Sequence, residues 1–253
     1  MSVAPESSSF PGSSGSTGPR GEAGAAGAAG RESRSGGEAG AGQEAVVDLL
    51  GMLAYGELLA FDRMAADARL APDLARRAVL SEMAGVEIAN YRRLATRMRE
   101  LGVDPEAAML PFVGPLDEYH DQTEPRDYLE ALTKAYVGDG VADDFFREVA
   151  AFLAAPDREL VLDVLHDTRY DDFAADEIRR AIQADPKVAN RLSMWARRLV
   201  GEGLSQAQRV AAERIALAAL IAEGSGDQAG VQALLRRLTS AHTARMGVVG
   251  LNN

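Results

Sequence analysis

Helical periodicity is the feature that most constrains what this chain can fold into. From about residue 44 to residue 246, apolar residues return every three or four positions in one segment after another, as Val47, Leu50 and Leu53 do. This spacing places them on one face of an α-helix. No segment alternates apolar and polar residues in the way that a half-buried strand requires. The sequence therefore predicts an all-α fold.

Prolines and glycines divide the periodic region into separate helices. Pro72, Pro125 and Pro156 suit first helical turns, and Asp185 reads as an N-cap before Pro186. The predicted helices span about 44–70, 72–101, 124–154, 156–184, 186–222 and 227–246. Residues 102–123 are predicted to be a long crossover loop because they contain three prolines and two glycines. The expected architecture is a four-helix bundle with two additional C-terminal helices.

The first 43 residues have a different composition. They are mostly Gly, Ser, Ala and Glu, with almost no large apolar side chains. Such a segment buries too little surface to offset the entropy of ordering its backbone. We expect a disordered tail over 1–43 and a helical domain over 44–247.

Composition excludes several classes of protein. The 253 residues include no cysteine, which excludes disulfides, thiolate metal sites and thiol nucleophiles. The net charge of −11 disfavours a large nonspecific nucleic-acid surface, and the arginines of segment 92–99 read more simply as a solvated helix face than as an RNA contact. The N-terminus lacks the pattern of a secretory signal, and the longest apolar run, 215–222, is far too short to span a membrane. A cytoplasmic protein without a membrane partner is expected.

Carboxylates on apolar helix faces are the most informative local feature. Glu57, Glu87, Asp139 and Asp167 each continue the apolar stripe of one predicted helix, near its middle. An unpaired charge facing a core is unfavourable, whereas inward carboxylates in a bundle can hold a pair of iron or manganese ions. Each acid could instead pair with an arginine or lie at the bundle edge. Their occurrence on four consecutive helices favours a metal site at these residues.

Two of the predicted helices carry an acid framed by glycines. Asp139 lies between Gly138 and Gly140, and Glu202 lies between two glycines at 201 and 203. A glycine inside a helix lowers its stability by about 1 kcal/mol relative to alanine. We therefore expect close helix approach or a local bulge at both places, with Glu202 a weaker candidate for an inward acid.

Histidine ligands are scarce. A dinuclear carboxylate site in a bundle uses Glu-x-x-His motifs, because residues three apart share a helix face. Here Glu87 is followed by Asn90 and Asp167 by Tyr170 at the corresponding spacing. Of the three histidines, His120 and His242 are expected at the surface, and His166 lies on a neighbouring helix face.

Four segments together resemble a known family. LSEMAGVEIANYRRL, KAYVGDGVADDFFRE, VLHDTRYDDF and MWARRLVGEGLSQAQRVAAER are similar to the ferritin-like proteins grouped with the MiaE tRNA hydroxylases, in the branch from high-GC Gram-positive bacteria. The resemblance covers about residues 44–245. It implies a ferritin-like bundle and oxygen-dependent hydroxylation of an isopentenylated, methylthiolated adenosine in tRNA at a non-haem di-iron centre.

The resemblance also implies a ligand set. It comprises Glu57, Glu87, Asp139 and Asp167, with histidines at positions 90 and 170, where this chain has asparagine and tyrosine. The carboxylates are kept and both histidines are replaced, so the site is predicted to be degenerate.

Three functional hypotheses follow. The first is a di-iron hydroxylase, and the second is a non-catalytic ferritin-fold scaffold that binds a protein partner or forms a homodimer. The third, the weakest because of the acidic charge, is a tRNA-binding protein without catalysis, which rests on the arginine stripes.

Overall fold

The structure is a computed structural model that describes residues 26–165, 169–226 and 228–252. The chain divides into two units, Met1–Ala39 and Gly40–Asn253, and the side-chain contacts that build the fold belong to the second. The described helices are α1 (Ala26–Asp67), α2 (Leu74–Glu100), α3 (Pro105–Gln122), α4 (Tyr128–Lys134), α5 (Gly140–Ala150), α6 (Ala155–Val164), α7 (Arg169–Ala184), α8 (Lys187–Glu213), α9 (Ile215–Gly224) and α10 (Gln228–Val248). A π-helical turn, Ala135–Asp139, joins α4 to α5. The described residues contain no strand, so the all-α prediction is confirmed.

Two apolar clusters hold the second unit together. One is centred on Leu80, Leu132, Ile178 and Leu192, and so joins α2, α4, α7 and α8. The other joins α1, α3, α5 and α6 to the C-terminal half of α2 and includes the fully buried Phe112. Burial of these side chains is the main favourable contribution to folding. The candidate site lies where side chains of both clusters meet.

The predicted crossover loop at 102–123 is wrong, because most of it forms α3. The Asp104 side chain caps this helix by accepting a hydrogen bond from the Ala107 N–H at 3.3 Å, and Pro105 occupies the first turn. Pro111 and Pro115 lie inside the helix, where proline normally destabilises by removing a backbone donor. Burial of the α3 face that carries Phe112 outweighs that local preference.

Several helix boundaries also differ from the prediction. The predicted third helix begins, as α4, after Asp127 rather than after Thr123. The Asp127 side chain accepts a hydrogen bond from the Glu130 N–H at 2.9 Å. The predicted fifth helix breaks at Arg214 (φ −110°, ψ 76°), whose guanidinium reaches across to the buried Asp48. The predicted fourth helix divides into α6 and α7.

The predicted N-terminal tail is only partly within the described residues. Residues 1–25 lie outside them, while the backbone is helical from Ala26, well before the predicted start at 44. The disorder of 1–43 and the domain limits 44–247 stay predictions. Among the described helices, none combines the length and apolar character needed to cross a membrane.

A carboxylate-lined cavity as candidate metal site

A cavity of about 150 Å³ lies between the two apolar clusters. Its apolar wall includes Leu53, Met64 and Phe146, drawn from both clusters. Its polar wall includes five carboxyl side chains, from α1, α2, the π-turn, α5 and α7: Glu57, Glu87, Asp139, Asp143 and Asp171. The tertiary fold thus gathers acids that are more than 100 residues apart in sequence.

Three of the four predicted site residues meet in this cavity. Glu57, Glu87 and Asp139 all line it, whereas Asp167 lies outside the described residues, as does His166. Asp143 and Asp171 also line the cavity and were not predicted from the sequence. The signal was present, because these two follow Asp139 and Asp167 by four positions, and residues four apart share one helix face.

The glycine frame around Asp139 reflects both of the expected causes. A side-chain carbon at Gly138 would lie 2.6 Å from the Tyr119 hydroxyl, and one at Gly140 would lie 2.5 Å from Nε of Arg245. The helix also bulges here into the π-turn, which ends at Asp139. π-bulges insert one residue and occur frequently at functional sites.

The glycines on either side of Glu202 are not sites of close helix approach. A side-chain carbon at Gly201 would meet nothing within 4 Å, and one at Gly203 would make only an ordinary 3.8 Å contact with the Tyr119 ring. The expected close packing is therefore wrong there. Glu202 is half-buried and does not line the cavity.

The cavity carboxyls resist ionisation. Burial raises the pKa of Glu57 far above its usual range, and the Glu87 carboxyl, which is hydrogen-bonded to it, raises it further. Two carboxylates in contact cannot both ionise readily, so this pair holds a proton at neutral pH. Burial likewise raises the pKa of Asp139 well above its ordinary value and that of Asp143 to about 7.

Asp139 combines enclosure with an accessible surface. Its side chain counts as exposed, yet desolvation by surrounding protein is the main cause of its raised pKa. Both observations agree if the accessible surface faces the cavity rather than bulk solvent, and Asp139 does line the cavity. The raised pKa of Asp139 therefore describes its enclosure by protein better than its accessible surface does.

Comparison with known proteins places this architecture in a family. A family model described as "Ferritin-like domain, actinomycetes" matches residues 41–224. The chain belongs to this family. The ferritin-like domain also resembles a solved structure, Protein 19 with aldehyde deformylating oxidase activity from Synechococcus, with 22% identity, a TM-score of 0.64, and coverage of 84% of this chain and 92% of that one. That likeness shows the fold alone, and it confirms the ferritin-like prediction. No curated protein matches the sequence.

The two positions at which the resemblance implies histidine both line the cavity of this ferritin-like domain. The Asn90 amide nitrogen donates to the Val164 carbonyl at 3.3 Å, and its side chain also hydrogen-bonds the Glu57 carboxyl. Because a carbonyl can only accept, the NH₂ group of Asn90 must face Val164. Tyr170 is buried, and its hydroxyl has no hydrogen-bond partner among the described residues.

The two histidines that the structure describes lie elsewhere in the ferritin-like domain. His120 is half-buried in α3 with its ring 5.1 Å from that of Tyr119, and burial lowers its pKa to about 3. His242 is 5% exposed in α10. The prediction that both lie at the surface is wrong, because both belong to packed helices: His120 to α3, where a loop was predicted, and His242 to α10. Neither histidine lines the cavity.

Among the described residues, the groups of the cavity wall that could bind a metal are therefore oxygen donors, and their arrangement is loose. Within residues 26–165, 169–226 and 228–252, no three Asp, Glu or His side chains lie close enough together to hold a metal ion. One oxygen of Glu57 is nevertheless buried without a hydrogen-bond partner in that part of the chain. An orphaned acceptor of this kind indicates a missing water or cation.

Proposed function

We propose that this ferritin-like domain binds a divalent cation that prefers oxygen ligands, manganese(II) or iron(II), through Glu57, Glu87 and Asp139, with Asp167 as a further predicted ligand. The observation that carries the proposal is the set of carboxyls with burial-raised pKa around one cavity. Buried carboxylates without cations are unfavourable. A bound cation would displace their protons and balance their charge.

The donor set departs from a di-iron site of the Glu-x-x-His type. Asn90 and Tyr170 line the cavity where imidazoles would be needed. Neutral amide and phenol groups bind these metals weakly, and oxygen-only sites favour manganese or magnesium over metals that prefer nitrogen. The oxygen donors suit a hard cation in their chemistry but not in their present spacing, and they do not suit the histidine-containing pair of iron sites. We therefore infer a degenerate site.

The chain's own residues have definable roles in this proposal. Glu57 and Glu87 share a proton that metal binding must release, while the Asn90 amide orients the Glu57 carboxyl. Leu53 and Phe146 exclude bulk water from one side of the cavity.

An oxidoreductase role rests on two likenesses. The sequence resembles the MiaE tRNA hydroxylases, and the structural neighbour has aldehyde deformylating oxidase activity. A tRNA substrate rests on the sequence resemblance alone. It gains no support from the predicted arginine stripe, where Arg97 pairs with Asp157 at 2.7 Å and Arg93 pairs with Asp163 at 3.1 Å. Paired arginines provide less charge for phosphate contacts.

A manganese titration of the full chain tests the proposal. At a metal concentration 100 times Kd, a ligand specific to the folded state stabilises it by about 2.7 kcal/mol, which for a domain of this size raises Tm by roughly 5–10 °C. We expect that rise in the wild type and a much smaller one in Glu87→Gln. Glu82→Gln, an exposed acid on the same helix, is the matched control.

Equal Tm shifts in the two variants would show that the metal binds outside this cavity. No Tm shift in the wild type or in either variant would refute the proposal. Elemental analysis of protein purified without a histidine tag provides an independent measure of metal content.

A non-catalytic scaffold is the second candidate function. It is favoured by the hydrogen bonds of Asn90, which link α1, α2 and α6 without a metal, and by the loose carboxyl arrangement. This alternative predicts the same Tm with manganese and with a chelator. Its partner would be another protein or a second copy of this chain, and chromatography coupled to light scattering would detect the latter.

A further inference from the structure

A second and larger cavity lies beside the carboxylate cavity, between α5 and α10. This groove has a volume of about 450 Å³ and is lined by Asp144, Arg147, Glu148 and Ala151 of α5 and by Arg237, Leu238 and Ala241 of α10. Its size falls within the range of small-molecule sites. The α10 wall lies beyond the residues matched by the family model, so three of the seven lining residues belong to a segment outside that match.

The charges in the groove are unequally paired. Glu148 is held by Arg237 through two bonds of 2.7 and 2.6 Å, and Asp144 is held by Arg245 at 2.7 Å. These are short, charge-assisted contacts. Both acids of the groove are therefore neutralised by arginines other than Arg147.

Arg147 is held more loosely. Its guanidinium lies 3.3 Å from Asp143 and 3.5 Å from Asp144, and its one short bond, at 2.8 Å, goes to the Leu165 carbonyl, which is neutral. A guanidinium has five N–H donors in a planar fork suited to carboxylate recognition. Among the described residues, Arg147 is thus the arginine of the groove wall whose carboxylate contacts are the longest.

The remaining wall is apolar. Ala151, Leu238 and Ala241 add aliphatic surface next to the guanidinium. We propose that the α5–α10 groove binds a small organic carboxylate, with its head on Arg147 and its alkyl chain against these three residues. The site does not depend on metal binding in the carboxylate cavity.

The two cavities share a boundary at Arg147. Asp143 and Leu165, which Arg147 contacts, both line the carboxylate cavity. A carboxylate that draws Arg147 toward the groove would free Asp143 to face a cation. If the proposed metal function is also correct, carboxylate and metal therefore bind with positive coupling, and each raises the affinity of the other by the same factor.

Isothermal titration calorimetry of the full chain with hexanoate tests the proposal. We expect hexanoate to bind at least tenfold more tightly than hexanol, which lacks the charge, and than acetate, which lacks the chain. Arg147→Gln should weaken hexanoate binding about tenfold or more. Ala241→Trp should fill the groove and abolish hexanoate binding. Arg236→Gln, an exposed arginine of α10 outside the groove, should leave binding unchanged.

Equal affinity for hexanoate and hexanol would overturn the proposal, as would unchanged hexanoate binding in Arg147→Gln. Inorganic phosphate that bound as tightly as hexanoate would overturn the choice of a carboxylate. Circular dichroism melts of each variant separate loss of binding from loss of folding. If the wild type binds hexanoate but not manganese, only the metal function is refuted. If it binds manganese but not hexanoate, only this inference is refuted.

Discussion

The Gly140→Ala variant gives a sharp test of why glycine occurs beside Asp139. A side-chain carbon at Gly140 would lie 2.5 Å from Nε, 2.7 Å from Cζ and 3.0 Å from Cδ of Arg245. Because these distances are below normal contact, the Arg245 side chain has to move. That side chain is mostly buried and donates to Asp144 at 2.7 Å, so its displacement breaks a charge-assisted hydrogen bond.

The expected magnitude follows from two opposing effects. Loss of a hydrogen bond between charged groups destabilises by about 1.5–3 kcal/mol, and replacing a helical glycine with alanine stabilises by about 1 kcal/mol. Gly140→Ala should therefore destabilise by about 0.5–2 kcal/mol. Gly201→Ala is the matched control, because alanine there meets nothing within 4 Å and should stabilise by about 1 kcal/mol.

Urea denaturation of both variants measures these free energies of unfolding. A double-mutant cycle with Arg245→Ala gives the decisive comparison, since removal of that side chain removes the clash. In the Arg245→Ala background, Gly140→Ala should be stabilising. If it remains destabilising there by the same amount, the contact with Arg245 is not the reason for the glycine, and the argument fails.

Two further predictions concern buried charges. Arg214→Met should destabilise by about 3–5 kcal/mol in urea denaturation because it leaves the buried Asp48 carboxylate without its cation, whereas a loss below 1 kcal/mol would show that the pair is dispensable. Burial raises the pKa of Asp67 to about 6 from an ordinary value near 3.8, although Lys134 and Arg63 oppose the shift. The folded state thus holds a proton that the unfolded chain releases near pH 4. The contribution of Asp67 to stability is therefore fully present below that pH, and it falls by roughly 3 kcal/mol as pH rises through 6. Asp67→Asn should remove that part of the slope between pH 4 and 7.5, and an unchanged slope would contradict the assignment.

The candidate site was predictable in part, and the reasons differ by residue. Glu57 and Glu87 could be found because each lies on an otherwise apolar stripe within a regular helix. Asp139 could be found for the same reason, and its flanking glycines indicated in addition a local irregularity. Asp143 and Asp171 were missed although they share helix faces with predicted ligands, because a single sequence does not show how far a cavity extends along a helix.

The two main fold errors have different causes. Proline and glycine indicate local conformational preferences of about 1–3 kcal/mol, and tertiary burial outweighs preferences of that size. The predicted loop at 102–123 is α3 because one face of that helix, including Phe112, is buried. The predicted fifth helix followed from apolar spacing within one segment, which does not show that the chain departs from helical geometry at Arg214, where the guanidinium contacts the buried Asp48.

The sequence by itself determined the helical class, the ferritin-like family resemblance and the inward direction of three acids, since each of these depends on spacing within one segment. Only the tertiary structure decided that the acids share a cavity and that α10 forms a groove with α5. Those features depend on contacts between residues distant in the chain. Their energies arise only after the helices pack, so no local pattern encodes them.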